Sequence, residues 1–231
     1  MKKLWLALWV CAALLPRAAA LSAAAAVTMD ADTGETLFAE NADSRLPMAS
    51  TTKIMTALVA LGEGDLDRVY TVKKQYAAVE GSSMYLEEGE RLTLRDTLYG
   101  LLLSSGNDAA AAVAGECGGE RAFVDKMNAK ARELGLTDTR FENPSGLPSD
   151  GHYTTARELA KITAAALRDP VFRDIVSTKT CTAAGRTLVN HNRLLSLYEG
   201  AIGVKTGFTR AAGRCLVSAA ERNGRTVIAV T

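Results

Sequence analysis

The chain has 231 residues, enough for one large domain or two closely joined subdomains around a sizeable core. Lys and Arg number 27 against 26 Asp and Glu, and the net charge of +1 comes without a basic block, which argues against nucleic acid as a partner. Two histidines and four cysteines show no metal-ligand spacing, so no zinc site and no obligatory disulfide framework are expected.

Met1-Lys2-Lys3 is basic, Leu4 to Leu15 is apolar, and Pro16-Arg17 breaks the run before the small residues Ala18-Ala19-Ala20. That is the pattern of a secretory signal peptide over residues 1–20. The apolar run falls short of the roughly 20 residues of a membrane span, with an uncleaved anchor as the alternative. Residues 21–231 then form one exported domain on the extracytoplasmic side of the membrane. Cys11 leaves with the signal, and Cys117, Cys181 and Cys215 read as buried free thiols.

Ala23 to Asp30 and Glu35 to Glu40 read as two strands joined through Asp32-Thr33-Gly34, a hairpin signal. A polar loop runs to Pro47. Thr51 to Leu61 is helical until Gly62, which puts Ser50 at a helix N-terminus. The middle of the chain is helical at Leu94–Leu103, Asp108–Gly115 and Glu120–Leu134, the last stopping at Gly135. Phe141 to Tyr153, with two prolines and two glycines, is a loop. Thr155 to Leu167 is a further helix ending before Asp169-Pro170. Strands return at Ala201–Phe208, Arg214–Ala220 and Thr226–Val230, with Arg222-Asn223-Gly224 as a hairpin turn. The fold class is therefore α+β: an antiparallel sheet built from both chain ends, packed against an all-helical insertion, with a cleft between them.

Three short motifs carry the chemistry. Ser50 and Lys53 are three apart, so on a helix the lysine amine reaches the serine hydroxyl. A neutral lysine can take the serine proton, and burial beside another cation would keep it neutral. The first helical turn also offers backbone N–H groups to a developing oxyanion. Taken alone, Ser-Thr-Thr-Lys reads far more readily as a helix cap with an exposed lysine, and the other two motifs reverse that. Ser105-Gly106-Asn107 lies between two helices and reads alone as a turn. As part of a site, Ser105 passes a proton to a leaving amine and Asn107 holds Lys53 and a substrate backbone. Lys205-Thr206-Gly207 lies in a strand whose edge could pair with a peptide. There Lys205 and Thr206 suit a terminal carboxylate, and Lys205 is the cation expected beside Lys53. None of these steps requires a metal or a cofactor.

The three motifs in this order, with their flanks Pro47 to Thr56, Leu103 to Ala109 and Gly203 to Thr209, resemble the low-molecular-mass penicillin-binding proteins, the serine-type D-alanyl-D-alanine carboxypeptidases. Phe141 to Leu147, His152 to Ala156 and Asn190 to Leu195 resemble that family too, and the similarity runs from about Ala24 to Thr231. The resemblance implies a β-lactamase/transpeptidase-like fold. It makes Ser50 the acyl-ester nucleophile, Lys53 its proton acceptor and Ser105 the relay, with Lys205 and Thr206 on the substrate carboxylate. The oxyanion hole would be the N–H groups of Ser50 and Phe208. Peptidoglycan stem peptides ending in D-Ala-D-Ala are the implied substrates, and β-lactams the implied covalent inhibitors.

Family members usually continue past the third closing strand with a further helix, and many carry a C-terminal amphipathic membrane anchor. The expectation is that this chain, stopping at Thr231, is truncated. A class A β-lactamase would share the motifs but needs a Glu-x-x-Leu-Asn loop to activate water, and none occurs: Glu142 is followed by Asn143-Pro144. A peptidoglycan endopeptidase would use the same residues. A non-catalytic penicillin sensor would not need all of them.

Overall fold

The computed structural model describes residues 22–231, so the segment read as a signal peptide lies outside the described residues. Five strands form one antiparallel sheet: β1 (Ala26–Asp30), β2 (Thr36–Glu40), and, at the other end of the described chain, β7 (Ala201–Thr209), β8 (Gly213–Arg222) and β9 (Arg225–Val230). Their spatial order is β2-β1-β9-β8-β7. The first strand thus lies beside the last, with Val27 opposite Val230 and Asp30 opposite Val227. Every pairing in this sheet is antiparallel. Alternation sets its register: Val27, Met29, Val217, Ala219, Ile228 and Val230 are buried, and a one-residue slip would turn them outward.

The β1–β2 turn is closed by Asp30, whose Oδ1 accepts from the N–H groups of Asp32 and Thr33. Its Oδ2 accepts from Arg225 at 2.8 Å, which ties the first hairpin to the start of the central strand.

The central helix α1 (Lys53–Leu61) buries residues on every side, as a helix enclosed by other elements must. It packs against α3 (Leu94–Leu102), α4 (Asn107–Glu116), α5 (Glu120–Glu133) and α6 (Ala156–Leu167), α2 being the short turn Lys74–Ala77. Helix α6 also covers β1 and β9, joining the helical layer to the sheet. Thr93 and Asp96 form a capping box on α3, and Thr155 Oγ1 caps α6 by accepting from Glu158 N.

The insertion is not wholly helical. It holds two two-stranded ribbons, β3 (Val69–Thr71) with β4 (Arg91–Thr93) and β5 (Thr180–Ala183) with β6 (Arg186–Val189). The second turns through Ala184 and Gly185, both at positive φ. That is a two-residue hairpin turn usually signalled by Asn or Asp in the first place. A further helix, α7 (Pro170–Ser177), begins at the proline read as a stop. Asp169 caps it, accepting from Val171 N and Phe172 N, and proline sits in the first turn, where its missing N–H costs nothing. The last helical piece, α8 (Leu194–Leu197), packs on β7. Cys117, Cys181 and Cys215 are free thiols; only Cys117 is fully buried. No described helix is long and apolar enough to cross a membrane.

Candidate active site

Ser50 sits in a single 3-10 turn, Ala49–Thr52, that leads into α1. The two threonines of the motif close this turn: Thr51 Oγ1 donates to Met48 O at 2.5 Å and Thr52 Oγ1 donates to Ala49 O at 2.8 Å. Ser50 is left half-exposed while Thr51, Thr52 and Lys53 are buried.

Lys53 is the first residue of α1, and its Nζ lies 3.1 Å from Ser50 Oγ. It also lies 2.7 Å from Asn107 Oδ1 and 2.7 Å from the carbonyl oxygen of Ser145. Burial drives its pKa well below the ordinary lysine value; the nearby charge of Lys205 adds to this and Asp108 opposes it. Lys205 is itself buried, and that burial lowers it to about 7. Lys205 Nζ donates to Thr206 O at 2.8 Å.

Asn107 opens α4 and has its amide fixed at both ends. Oδ1 faces Lys53, and Nδ2 donates to Glu80 O at 2.7 Å, leaving one amide hydrogen uncommitted. Ser105 is buried at φ +60, and Thr206 is half-buried. Among the described residues neither hydroxyl has a hydrogen-bond partner. Strand β7 is the sheet edge, and Gly207 brings it onto the nucleophile turn. A Cβ there would stand 3.0 Å from Ser50 N and 3.1 Å from Ala49 Cβ. Phe208, next along, has an exposed ring.

The sequence reading of the motifs missed what the 141–153 loop does. Ser145 O accepts from Lys53, Pro144 O accepts from Thr56 at 2.6 Å, and Gly146 at φ +89 lies flush against Ala49 O. Asn143 Oδ1 gathers the N–H groups of Ser145 and Gly146. His152 Nδ1 accepts from Glu142 N, so its Nε2 carries the hydrogen and donates to Thr52 Oγ1 at 2.8 Å. Burial lowers His152 to about 4, which keeps it neutral. Its sequence signals, the density of Asn, Pro, Ser and Gly and the family resemblance of Phe141 to Leu147 and His152 to Ala156, mark a shaped loop but not its target. Glu142 is turned away from Lys53: Ser149 Oγ and Gly151 N donate to it, and Arg140 pairs with it at 3.3 Å.

The profile of the peptidase S11 family, described as D-alanyl-D-alanine carboxypeptidase, matches residues 12–231. A D-alanyl-D-alanine carboxypeptidase of Streptomyces sp. (strain K15) is 41% identical, the match covering 90% of this chain and 79% of that protein. The carboxypeptidase DacF of Bacillus subtilis (strain 168) is 40% identical over 90% of this chain and 56% of its own length. A D-alanyl-D-alanine endopeptidase of Pseudomonas aeruginosa is 38% identical over 88% of this chain and 68% of its own length. The crystal structure of the Streptomyces K15 DD-transpeptidase superposes with a TM-score of 0.88 at 39% identity, covering 93% of this chain and 91% of that one. The chain belongs to peptidase family S11, the serine-type D-alanyl-D-alanine carboxypeptidases that act on peptidoglycan.

Proposed function

We propose that this enzyme removes the terminal D-Ala from peptidoglycan stem peptides through an acyl-enzyme on Ser50, and that β-lactams acylate the same oxygen. One observation carries the reading: the surroundings of Lys53 Nζ. A neutral amine has two hydrogens and one lone pair. Asn107 Oδ1 and Ser145 O, each at 2.7 Å, take the hydrogens. The lone pair is left for Ser50, which then donates its proton to lysine.

Ser50 Oγ attacks the carbonyl carbon of the penultimate D-Ala, and its proton passes to Lys53. The N–H groups of Ser50 and Phe208 hold the oxyanion where Gly207 lets turn and strand meet. Ser105 hands its proton to the departing D-Ala nitrogen as the C–N bond breaks and takes one in return from Lys53, whose amine is then neutral again. Water then attacks the ester, Lys53 takes its proton and returns it to Ser50 Oγ as the ester bond breaks, which restores both residues. Lys205 and Thr206 bind the carboxylate of the leaving residue, and the uncommitted N–H of Asn107 meets the substrate backbone. Export through residues 1–20 would bring the domain 21–231 to this substrate, as the sequence pattern suggests.

Incubating the enzyme with a D-Ala-D-Ala peptide should release free D-Ala. Ser50→Ala should abolish both that release and covalent labelling by a fluorescent penicillin; full labelling of the mutant would remove Ser50 from the mechanism. Amidating the substrate's C-terminus should lower kcat/KM by about 10- to 150-fold, the worth of a charge-assisted contact. Lys205→Ala should shrink that discrimination. A wild-type enzyme that cleaves acid and amide equally, or splits cross-linked dimers, is instead an endopeptidase. That second reading is favoured by the likeness to the Pseudomonas enzyme.

A further inference from the structure

Glu158 lies in the first turn of α6 and is only 6% exposed. A buried carboxylate without a cation is costly unless hydrogen-bond donors surround it. Among the described residues Glu158 has no ion-pair partner. Its oxygens accept instead from Thr137 N at 2.8 Å, from Asp138 N at 3.1 and 3.0 Å, and from Thr139 Oγ1 at 2.6 Å. Three donors of one turn thus converge on a side chain that α6 does not need for its own cap, which Thr155 supplies.

The turn that Glu158 holds leads into the 141–153 loop. Thr139 Oγ1 also meets Thr154 Oγ1 at 2.6 Å, which carries the tie across to the segment leaving the loop. Beside it, Arg140 and Tyr153 exchange backbone hydrogen bonds at 2.9 and 3.1 Å. Asn128 on α5 seats the loop's first residue: its Oδ1 accepts from Phe141 N and its Nδ2 donates to Phe141 O. From these stems the loop reaches Lys53 through Ser145 O and the nucleophile turn through Gly146.

We propose that Glu158 is a positioning residue of this enzyme: by clamping both stems of the 141–153 loop it keeps Ser145 O on Lys53 and water away from the amine. The proposal rests on the reading of Lys53 as the base only for its effect on rate. Losing the clamp has two consequences of opposite sign. Removing a negative charge lowers the pKa of an amine. Loosening the loop raises it, because burial is the largest influence on Lys53 and water replaces the departed carbonyl as acceptor. The charges that act on Lys53 are those of Lys205 and Asp108, and His152 within the loop is neutral. The loop effect therefore prevails, and its sign distinguishes it from the simple loss of a charge.

Glu158→Gln keeps the size of the side chain but replaces an acceptor oxygen with a donor. The rise of acylation rate with pH, measured on the full chain with a fluorescent penicillin, should move up by about one pH unit, or about tenfold in rate at pH 7, with the alkaline plateau kept. The amides of Ser145 and Gly146 should exchange hydrogen faster. Thr139→Val, which cuts the tie to Thr154 with little change of shape, should act in the same direction and carries the test if Glu158→Gln folds poorly. Asp30→Asn is the control, since Asp30 is a buried carboxylate that gathers the N–H groups of Asp32 and Thr33 in a different turn. It should lower Tm and leave both readouts unchanged. A pH profile that stays in place or moves down in Glu158→Gln, or loop exchange no faster than in Asp30→Asn, overturns the clamp. A wild type whose acylation does not depend on pH rejects Lys53 as the base, and loop exchange then decides the clamp alone.

Discussion

Two lysines decide the chemistry, and burial acts on both. Lys53 functions only without its proton, so acylation should rise with pH as the amine deprotonates. It should level off well below the free-lysine value of about 10.4. Measured acylation rates between pH 5 and 10.5 would show this; a rate still climbing at pH 10 contradicts a depressed Lys53. Lys53→Arg should lose at least about 100-fold, since guanidinium cannot give up its proton and a general base contributes on that scale. Lys205 makes a separate statement about stability. Its value is about 7 in the folded chain against an ordinary 10.5. Between these the unfolded chain binds more protons, so stability rises with pH across that window. The stability difference between wild type and Lys205→Met should move toward the wild type from pH 7 to 10 in denaturant titrations. A difference that stays flat would mean Lys205 titrates normally.

At the scale of elements, the site depends on three pieces of chain meeting at one turn: the start of α1, the 141–153 loop and the edge strand β7. Gly146 is where the loop presses hardest. A Cβ there would fall 1.9 Å from Ala49 O, on a backbone at φ +89. Gly146→Ala must push the loop off the turn, drawing Ser145 O away from Lys53. We expect both a lower Tm and a fall in acylation of more than tenfold. Gly224→Ala is the matched control. It has positive φ, at +73, but no atom within 4 Å. It should cost about 1 kcal/mol with acylation unchanged. Equal loss of activity in both would show that the glycine effect is general instability and not the loop's grip on the turn.

At the scale of the whole molecule, the sheet closes the chain on itself. Strand β9 lies between β1 and β8, so the sheet joins the hairpins from the two ends of the described chain. Helix α6 lies across β1, β9 and α1, coupling the sheet to the helical layer. Ile228 is fully buried at the middle of β9. Ile228→Ala should cost about 2–5 kcal/mol, the usual range for deleting a buried aliphatic side chain. Far-UV circular dichroism, dominated by the helices, and hydrogen exchange of the β1, β8 and β9 amides should report the same lowered stability. Different values would mean that sheet and helices unfold independently.

By itself the sequence determined the strands at both ends, the main helices, and the three motifs. Each is a local signal: alternation gives strands, glycine and cap residues bound helices, and Ser-x-x-Lys places two side chains on one face. The fold class followed because strands at both ends of a chain with helices between them have few ways to pack. Local signals failed where the usual marker residue was absent, as in the Ala184-Gly185 turn. They also failed where one residue has two readings, as with Pro170, which stops one helix and starts the next. Only the tertiary structure decided how basic Lys53 is. Its depressed basicity depends on burial and on Lys205 some 150 positions away, and the direction of its lone pair on a carbonyl from Ser145. A backbone carbonyl carries no residue signature, because every residue has one, and its direction is set by Asn143, Gly146 and the surface of α1. The clamp at Glu158 has the same origin, since its donors belong to a turn that meets α6 only when the chain is folded.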